Sequence, residues 1–171
     1  MSEWRDDIFE CLREAGVRQV AYEPDAGHAR LITRCQEAND MRALSLTTEE
    51  DGVALLAGAW LGGDKGVLLM QSSGVGNTIN MLSLIKNCQF PLVTLVTMRG
   101  EWGEFNTWRV PMGQSTQAHF ELSGVICYRC DKPEDVAETV ASALRFAYYT
   151  NSAVAVLLGQ RLIGAKIFAE D

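Results

Sequence analysis

Three short runs of this chain are apolar without alternation: residues 66–71 (GVLLMQ), 91–98 (PLVTLVTM) and 153–158 (AVAVLL). A strand with one wet face alternates apolar and polar residues, whereas an unbroken short run is a strand covered on both faces. Crossover helices provide that cover, so the runs point to a parallel sheet between two helical layers. The intervening segments agree. Helical spacing spans residues 6–15, stopped by Gly16, and recurs over 26–39, 53–63, 78–87, 115–122 and 133–149, the last opening on Pro133, where a missing N–H costs nothing. Shorter strands fit 17–22, 43–46 and 125–130. The expectation is an α/β fold: a six-stranded parallel sheet flanked by helices on both faces. With 171 residues, residues 1–171 suit a single domain with one core.

The net charge of −7 argues against nucleic acid or an anionic membrane surface as a general partner. No apolar run is long enough to span a bilayer, and the polar, acidic start MSEWRDD does not read as a signal peptide. Five cysteines, an odd number, suggest reduced thiols and a cytoplasmic location. Cys127 and Cys130 have C-x-x-C spacing but fall in a predicted strand with no second pair, and the chain has two His; no metal role is expected.

Chemistry concentrates at two junctions. Residues 53–63 carry no charge and almost no polar atom, and a helix apolar all round is buried. Thr47, Thr48, Glu49, Glu50, Asp51 and Gly52 stand at its mouth. Thr47 with Glu50, or Thr48 with Asp51, fits a capping box. Equally, a carboxyl at the entrance of a buried helix is what acid–base chemistry needs. One strand later, Gln71-Ser72-Ser73-Gly74-Val75-Gly76-Asn77 reads as a strand–turn–helix junction where backbone can approach a ligand. It is not the dinucleotide fingerprint, because Ile79 stands where that motif needs Gly or Ala, and no Gly-Lys-Ser/Thr makes a P-loop. Arg99 and Arg109 could meet a small anion. His28 follows the first predicted strand, and His119 lies in a helix. Residues 99–114 lack periodicity, and long irregular loops beyond strand ends are commonly functional.

Together these segments resemble the pyrimidine-binding domain of thiamine diphosphate-dependent decarboxylases, most closely the alpha subunit of sulfopyruvate or phosphonopyruvate decarboxylase. The resemblance covers nearly the whole chain. It rests on Tyr22-Glu23-Pro24-Asp25, on Glu49 to Ala54 with Ala57-Gly58-Ala59-Trp60, on Gln71 to Asn77, and on Arg99-Gly100-Glu101 with Pro111-Met112-Gly113. Glu23 departs from it, standing where relatives often have an apolar residue. The resemblance implies that Glu50 is the acid touching the cofactor, with Glu49 beside it. A proton shared with the remote ring nitrogen of the aminopyrimidine prepares the cofactor to lose its own reacting proton. Ser73, Gly74, Gly76 and Asn77 would line the cofactor, and Asp25, His28, Arg99 and Arg109 the small anionic 2-oxoacid substrate. Thr47 or Thr48 would still cap the helix.

Relatives hold the diphosphate and Mg2+ through a second domain marked by Gly-Asp-Gly, which this sequence lacks; Gly63-Asp64-Lys65-Gly66 is a turn. The resemblance thus implies a beta subunit carrying that half, a heterotetramer of two of each, no activity for the lone chain, and a 99–114 loop that orders with partner and substrate. A non-catalytic binding or regulatory protein retaining this fold is the alternative. A nucleotide-binding, flavodoxin-like module is a third reading, disfavoured by the broken glycine motif.

Overall fold

The computed structural model describes residues 3–165. Six strands form one parallel sheet: β1 Val17–Tyr22, β2 Arg42–Ser45, β3 Lys65–Gln71, β4 Leu92–Thr97, β5 Ile126–Cys130 and β6 Ala153–Leu158, in the order β2-β1-β3-β4-β6-β5. The helices are α1 Trp4–Glu14, α2 Ala29–Glu37, α3 Glu49–Leu61, α4 Ser72–Thr78, α5 Ser83–Cys88, α6 Val110–Leu122, α7 Pro133–Thr150 and α8 Gln160–Ile163, with a 3-10 turn at Thr107–Arg109.

The unbroken apolar strands are explained by two separate cores. Val67 and Leu69 of β3, Val93 and Leu95 of β4, and Val154 and Val156 of β6 pack with Ile8, Leu12, Leu31, Val140 and Leu144 from α1, α2 and α7. The alternate residues Leu68 and Met70, Leu92 and Val96, and Ala155 and Leu157 face Val53, Leu56, Val75 and Phe120 from α3, α4 and α6. Successive side chains on a strand point to opposite faces, so both sets must be apolar.

Several expected elements shift. The presumed turn after β3 is already helix, since α4 starts at Ser72, and the expected 78–87 helix is replaced by α4 and the shorter α5. Helix α6 begins at Val110, inside the stretch expected to be loop. Helix α3 is buried along one stripe, with Ala54, Gly58 and Leu61 exposed; the expectation of burial on every face fails because the sheet covers one side only. No helix among the described residues is long and apolar enough to cross a membrane.

In open parallel sheets, ligands bind beyond the carboxyl ends of the strands where the chain reverses direction across the sheet. This order has two such places. One lies between β1 and β3, since the chain runs out to β2 and returns. The other lies between β4 and β6, since β5 takes the outer position.

Candidate active site at the carboxyl edge of the sheet

Glu49, rather than Glu50, enters the β1/β3 crevice. Helix α3 starts at Glu49, and its buried residues are Glu49, Gly52, Val53 and Leu56. These are positions i, i+3, i+4 and i+7 of one helical face. Glu50 is rotated about 100° away and is exposed. The expectation that Glu50 sits in a sheltered place is therefore corrected: the acid so placed is Glu49, with 7% of its surface exposed. Thr48 is the N-cap but makes no side-chain capping hydrogen bond; the backbone N–H of Asp51 donates to its carbonyl at 3.2 Å instead.

Helix α4 clamps the Glu49 carboxylate. Asn77 Nδ2 donates to Oε2 at 2.8 Å. The other side of the carboxylate lies against Gly74, where an added Cβ would collide with it. Gly74 is thus glycine for close approach rather than for a turn. The remaining residues of this motif diverge. Gly76 packs toward Met112 of α6. Ser73 is exposed, and its hydroxyl donates to Gln71 Oε1 at 2.8 Å.

Glu23, one residue past β1, is the other acid here. Its backbone N–H still follows the sheet, donating to Leu69 O at 3.2 Å. Its Oε2 is buried and has no hydrogen-bond partner. Burial, and next the charge of Glu49, push its carboxyl above the ordinary range.

The four residues expected to hold substrate fare differently. Asp25 ties the strand ends together: Oδ2 accepts from Thr97 Oγ1 at 2.6 Å and from the Gly27 N–H at 3.0 Å, and Oδ1 accepts from Gln71 Nε2 at 2.9 Å. Burial pushes its carboxyl up, but the Thr97 bond, His28 and the other donors outweigh it, leaving the carboxyl below its ordinary value. His28 is 1% exposed. Its Nε2 lies 3.0 Å from Leu95 O, and since a carbonyl only accepts, that nitrogen carries the proton. Burial holds the imidazole below its usual range, so His28 is a framework residue and does not meet solvent. Arg99 is committed as well, with Nε 2.8 Å and Nη2 3.1 Å from the Glu104 carboxylate. Arg109, half-buried at the end of the 3-10 turn, makes no ion pair among the described residues.

The loop after β4, expected to be loose, is organised within the chain. Glu104, its side chain 2% exposed, gathers Arg99, the Gly100 and Asn106 N–H groups and Gln160 Nε2. Burial raises its proton affinity, but Arg99 and these donors dominate and bring it down to about 2. Gln160, 1% exposed, accepts from the Glu101 and Trp102 N–H groups at 2.9 and 3.0 Å. Sequence reading missed this staple, because Gln160 carries no motif. Nor did a hydrophobic stripe mark Glu49, since α3 is apolar on its exposed face as well as its buried one.

No protein-family model matches the chain. It is 30% identical over 152 residues to the sulfopyruvate decarboxylase subunit alpha of Methanococcus maripaludis, covering 88% of this chain and 91% of that one. It is 39% identical over 99 residues to a phosphonopyruvate decarboxylase of Streptomyces viridochromogenes, covering 57% of this chain and 25% of the other. In structure it resembles a 2-oxoglutarate:ferredoxin oxidoreductase from Magnetococcus marinus, with a TM-score of 0.72 and 13% identity over 95% of this chain and 29% of that one; that likeness concerns the fold. With near-complete mutual coverage of the first relative, and a buried acid at the carboxyl edge of a parallel sheet, the chain belongs to the family of sulfopyruvate decarboxylase alpha subunits.

Proposed function

We propose that this chain is the alpha subunit of a cytoplasmic, thiamine diphosphate-dependent decarboxylase. The enzyme converts sulfopyruvate, or phosphonopyruvate, to the corresponding aldehyde and carbon dioxide, and Glu49 is the acid that meets the cofactor. The observation that carries this is the sheltered Glu49 carboxylate, fixed by Asn77 and Gly74 at the β1/β3 crevice. A carboxyl held in this way fits the aminopyrimidine, whose ring nitrogen needs a proton-sharing acid shielded from water. When bound, thiamine diphosphate supplies the carbon nucleophile and the electron sink for loss of carbon dioxide. Glu49 Oε2 is occupied by the Asn77 amide, which leaves Oε1 to carry the proton it shares with the ring. Gly74 sets the depth of that oxygen. Ser73 lies on the exposed rim as a further cofactor contact, and Arg109, without an ion pair among the described residues, is a cation that can pair with the substrate anion. Asp25 and His28 keep the strand ends in register beneath.

The diphosphate and Mg2+ are assigned to a beta subunit. The relatives' designation as alpha subunits supports this, as does the limited share of the Streptomyces decarboxylase that this chain spans. The exposed apolar face of α3 at Ala54, Gly58 and Leu61 suits a covered surface in such an assembly. The test is co-expression with the beta subunit and assay of carbon dioxide release from both oxoacids with thiamine diphosphate and Mg2+. Activity is expected for the pair and not for the lone chain. Glu49→Gln, which keeps shape and loses the proton, should abolish it; an active Glu49→Gln enzyme would refute the assignment.

A further inference from the structure

Among the described residues, Glu23 Oε2 is the buried side-chain oxygen or nitrogen left without a hydrogen-bond partner. Such atoms are rare, because a buried polar group without a partner is costly. Nothing in the architecture requires an acid there. The backbone of Glu23 is already tied to Leu69, and an apolar side chain would fill the place without penalty. The neighbouring polar groups are engaged elsewhere: Asp25 with Thr97, Gln71 and Gly27, and Asn77 with Glu49. Glu23 therefore meets the crevice with hydrogen-bonding capacity that the chain does not use.

We propose that Glu23 is a substrate-binding residue of this site, its unpartnered Oε2 hydrogen-bonding to an oxygen of the bound 2-oxoacid. This rests on the decarboxylase reading. A dianionic oxoacid entering a crevice that already holds Glu49 would be repelled by a further carboxylate and attracted by a neutral acid. The charged group acting on Glu23 is Glu49, from the mouth of α3; the facing end of β3 offers the uncharged Gln71. Burial and Glu49 both favour the neutral form. In its neutral form Glu23 binds as a donor, and the bond is lost as rising pH ionises the carboxyl.

The test uses the assembled alpha–beta enzyme and sulfopyruvate or phosphonopyruvate. Glu23→Leu should raise KM by about tenfold or more while kcat falls far less, since a hydrogen bond to a charged group is lost. Glu23→Gln, which keeps a donor, should hold KM near wild type and remove its rise with increasing pH. Thermal unfolding of the isolated chain across a pH series gives a readout without turnover: the fall in melting temperature with rising pH should be smaller in Glu23→Gln than in wild type, because the ionising oxygen is gone. A wild-type KM in Glu23→Leu with active wild-type enzyme would overturn the role of Glu23 and leave the decarboxylase reading standing. Absence of turnover in the wild-type pair would overturn both. An unchanged pH dependence of melting in Glu23→Gln would show that ionisation of Glu23 carries no penalty in the fold and would also refute the proposal.

Discussion

The two crevices along the carboxyl edge of the sheet treat charge in opposite ways. Between β4 and β6 the acids Glu101, Glu104 and Asp131 are each matched by a cation, and Arg161 lies over the Trp102 ring. Arg99 grips Glu104, and Arg129 spans Glu101, at 2.6 and 2.9 Å, and Asp131, at 2.9 Å. Gln160 ties the loop down, and the neighbouring cavity of about 430 Å³ is lined by side chains that already have partners, among them Glu101, Arg129 and Asp131. Between β1 and β3, Glu49 has an amide for a neighbour rather than a cation, and Glu23 has an orphaned oxygen. Ion pairs between elements fix a loop in place. Acids left uncompensated beside a helix mouth keep proton chemistry available. The likeness in topology and the contrast in compensation support the proposed placing of function in the first crevice, with structural support in the second.

The largest break in that contrast is expected from Glu49→Gln. Turnover of the assembled enzyme should fall by about a hundredfold to ten-thousandfold, the usual contribution of a positioned acid. The isolated chain should unfold at nearly the wild-type temperature, because Asn77 can still bond the amide oxygen. A parallel loss of stability and activity would mean that Glu49 is structural.

Second come changes across the way. Removing Arg99 or Glu104 alone leaves a buried, unpaired charge, so Arg99→Ala or Glu104→Ala should cost about 3–5 kcal/mol in chemical denaturation. The pH dependence should separate the two crevices. Glu104, held at about 2 against an ordinary 4.5, contributes stability that is present above 4.5 and disappears as pH falls through 2. Glu23, shifted the other way, contributes stability that is complete below its ordinary 4.5 and declines as pH rises through its higher value. Glu104→Gln should flatten the loss of stability below pH 4.5 and Glu23→Gln the loss above it; the same side moving in both variants would dissolve the distinction.

How much of this was legible in the sequence follows the same division. The sheet was, because strands such as AVAVLL face two apolar cores and cannot alternate. Both β1 and β6 fall at the expected residues. Which acid turns inward was not, because α3 is apolar on its open face as well as its buried one, so hydrophobicity marks no inner stripe to separate Glu49 from Glu50. Nor could spacing show that Arg99 was spoken for, since its partner Glu104 lies in a stretch without periodicity. His28 was misplaced for a related reason: its ring reaches through the core to a carbonyl of β4, a tertiary contact with no local signature.

A smaller effect is expected from Gly74→Ala. Alanine is favoured over glycine within a helix by about 1 kcal/mol, and Gly74 lies in α4, so the fold should keep its stability. The new methyl group would instead push the Glu49 carboxylate out of position. Displacements of this kind cost turnover even when folding is intact, and a drop of about tenfold is expected; an unaffected rate would show that the depth of Glu49 is unimportant.

The smallest effect is the sharpest discriminator. Glu50 differs from Glu49 by one residue and one helical rotation, and it is exposed at the positive end of α3. An anion there stabilises the helix by about 0.3–1 kcal/mol, so Glu50→Gln should lower the unfolding free energy by no more than that and leave kcat within about twofold. The pair of isosteric substitutions, Glu49→Gln and Glu50→Gln, thus compares two adjacent carboxyls that a sequence presents as equals and a helix sends to opposite environments. If Glu50→Gln were the inactive variant, α3 would have to turn by about 100° when the partner subunit binds, which would pull Val53 and Leu56 off the sheet and expose them.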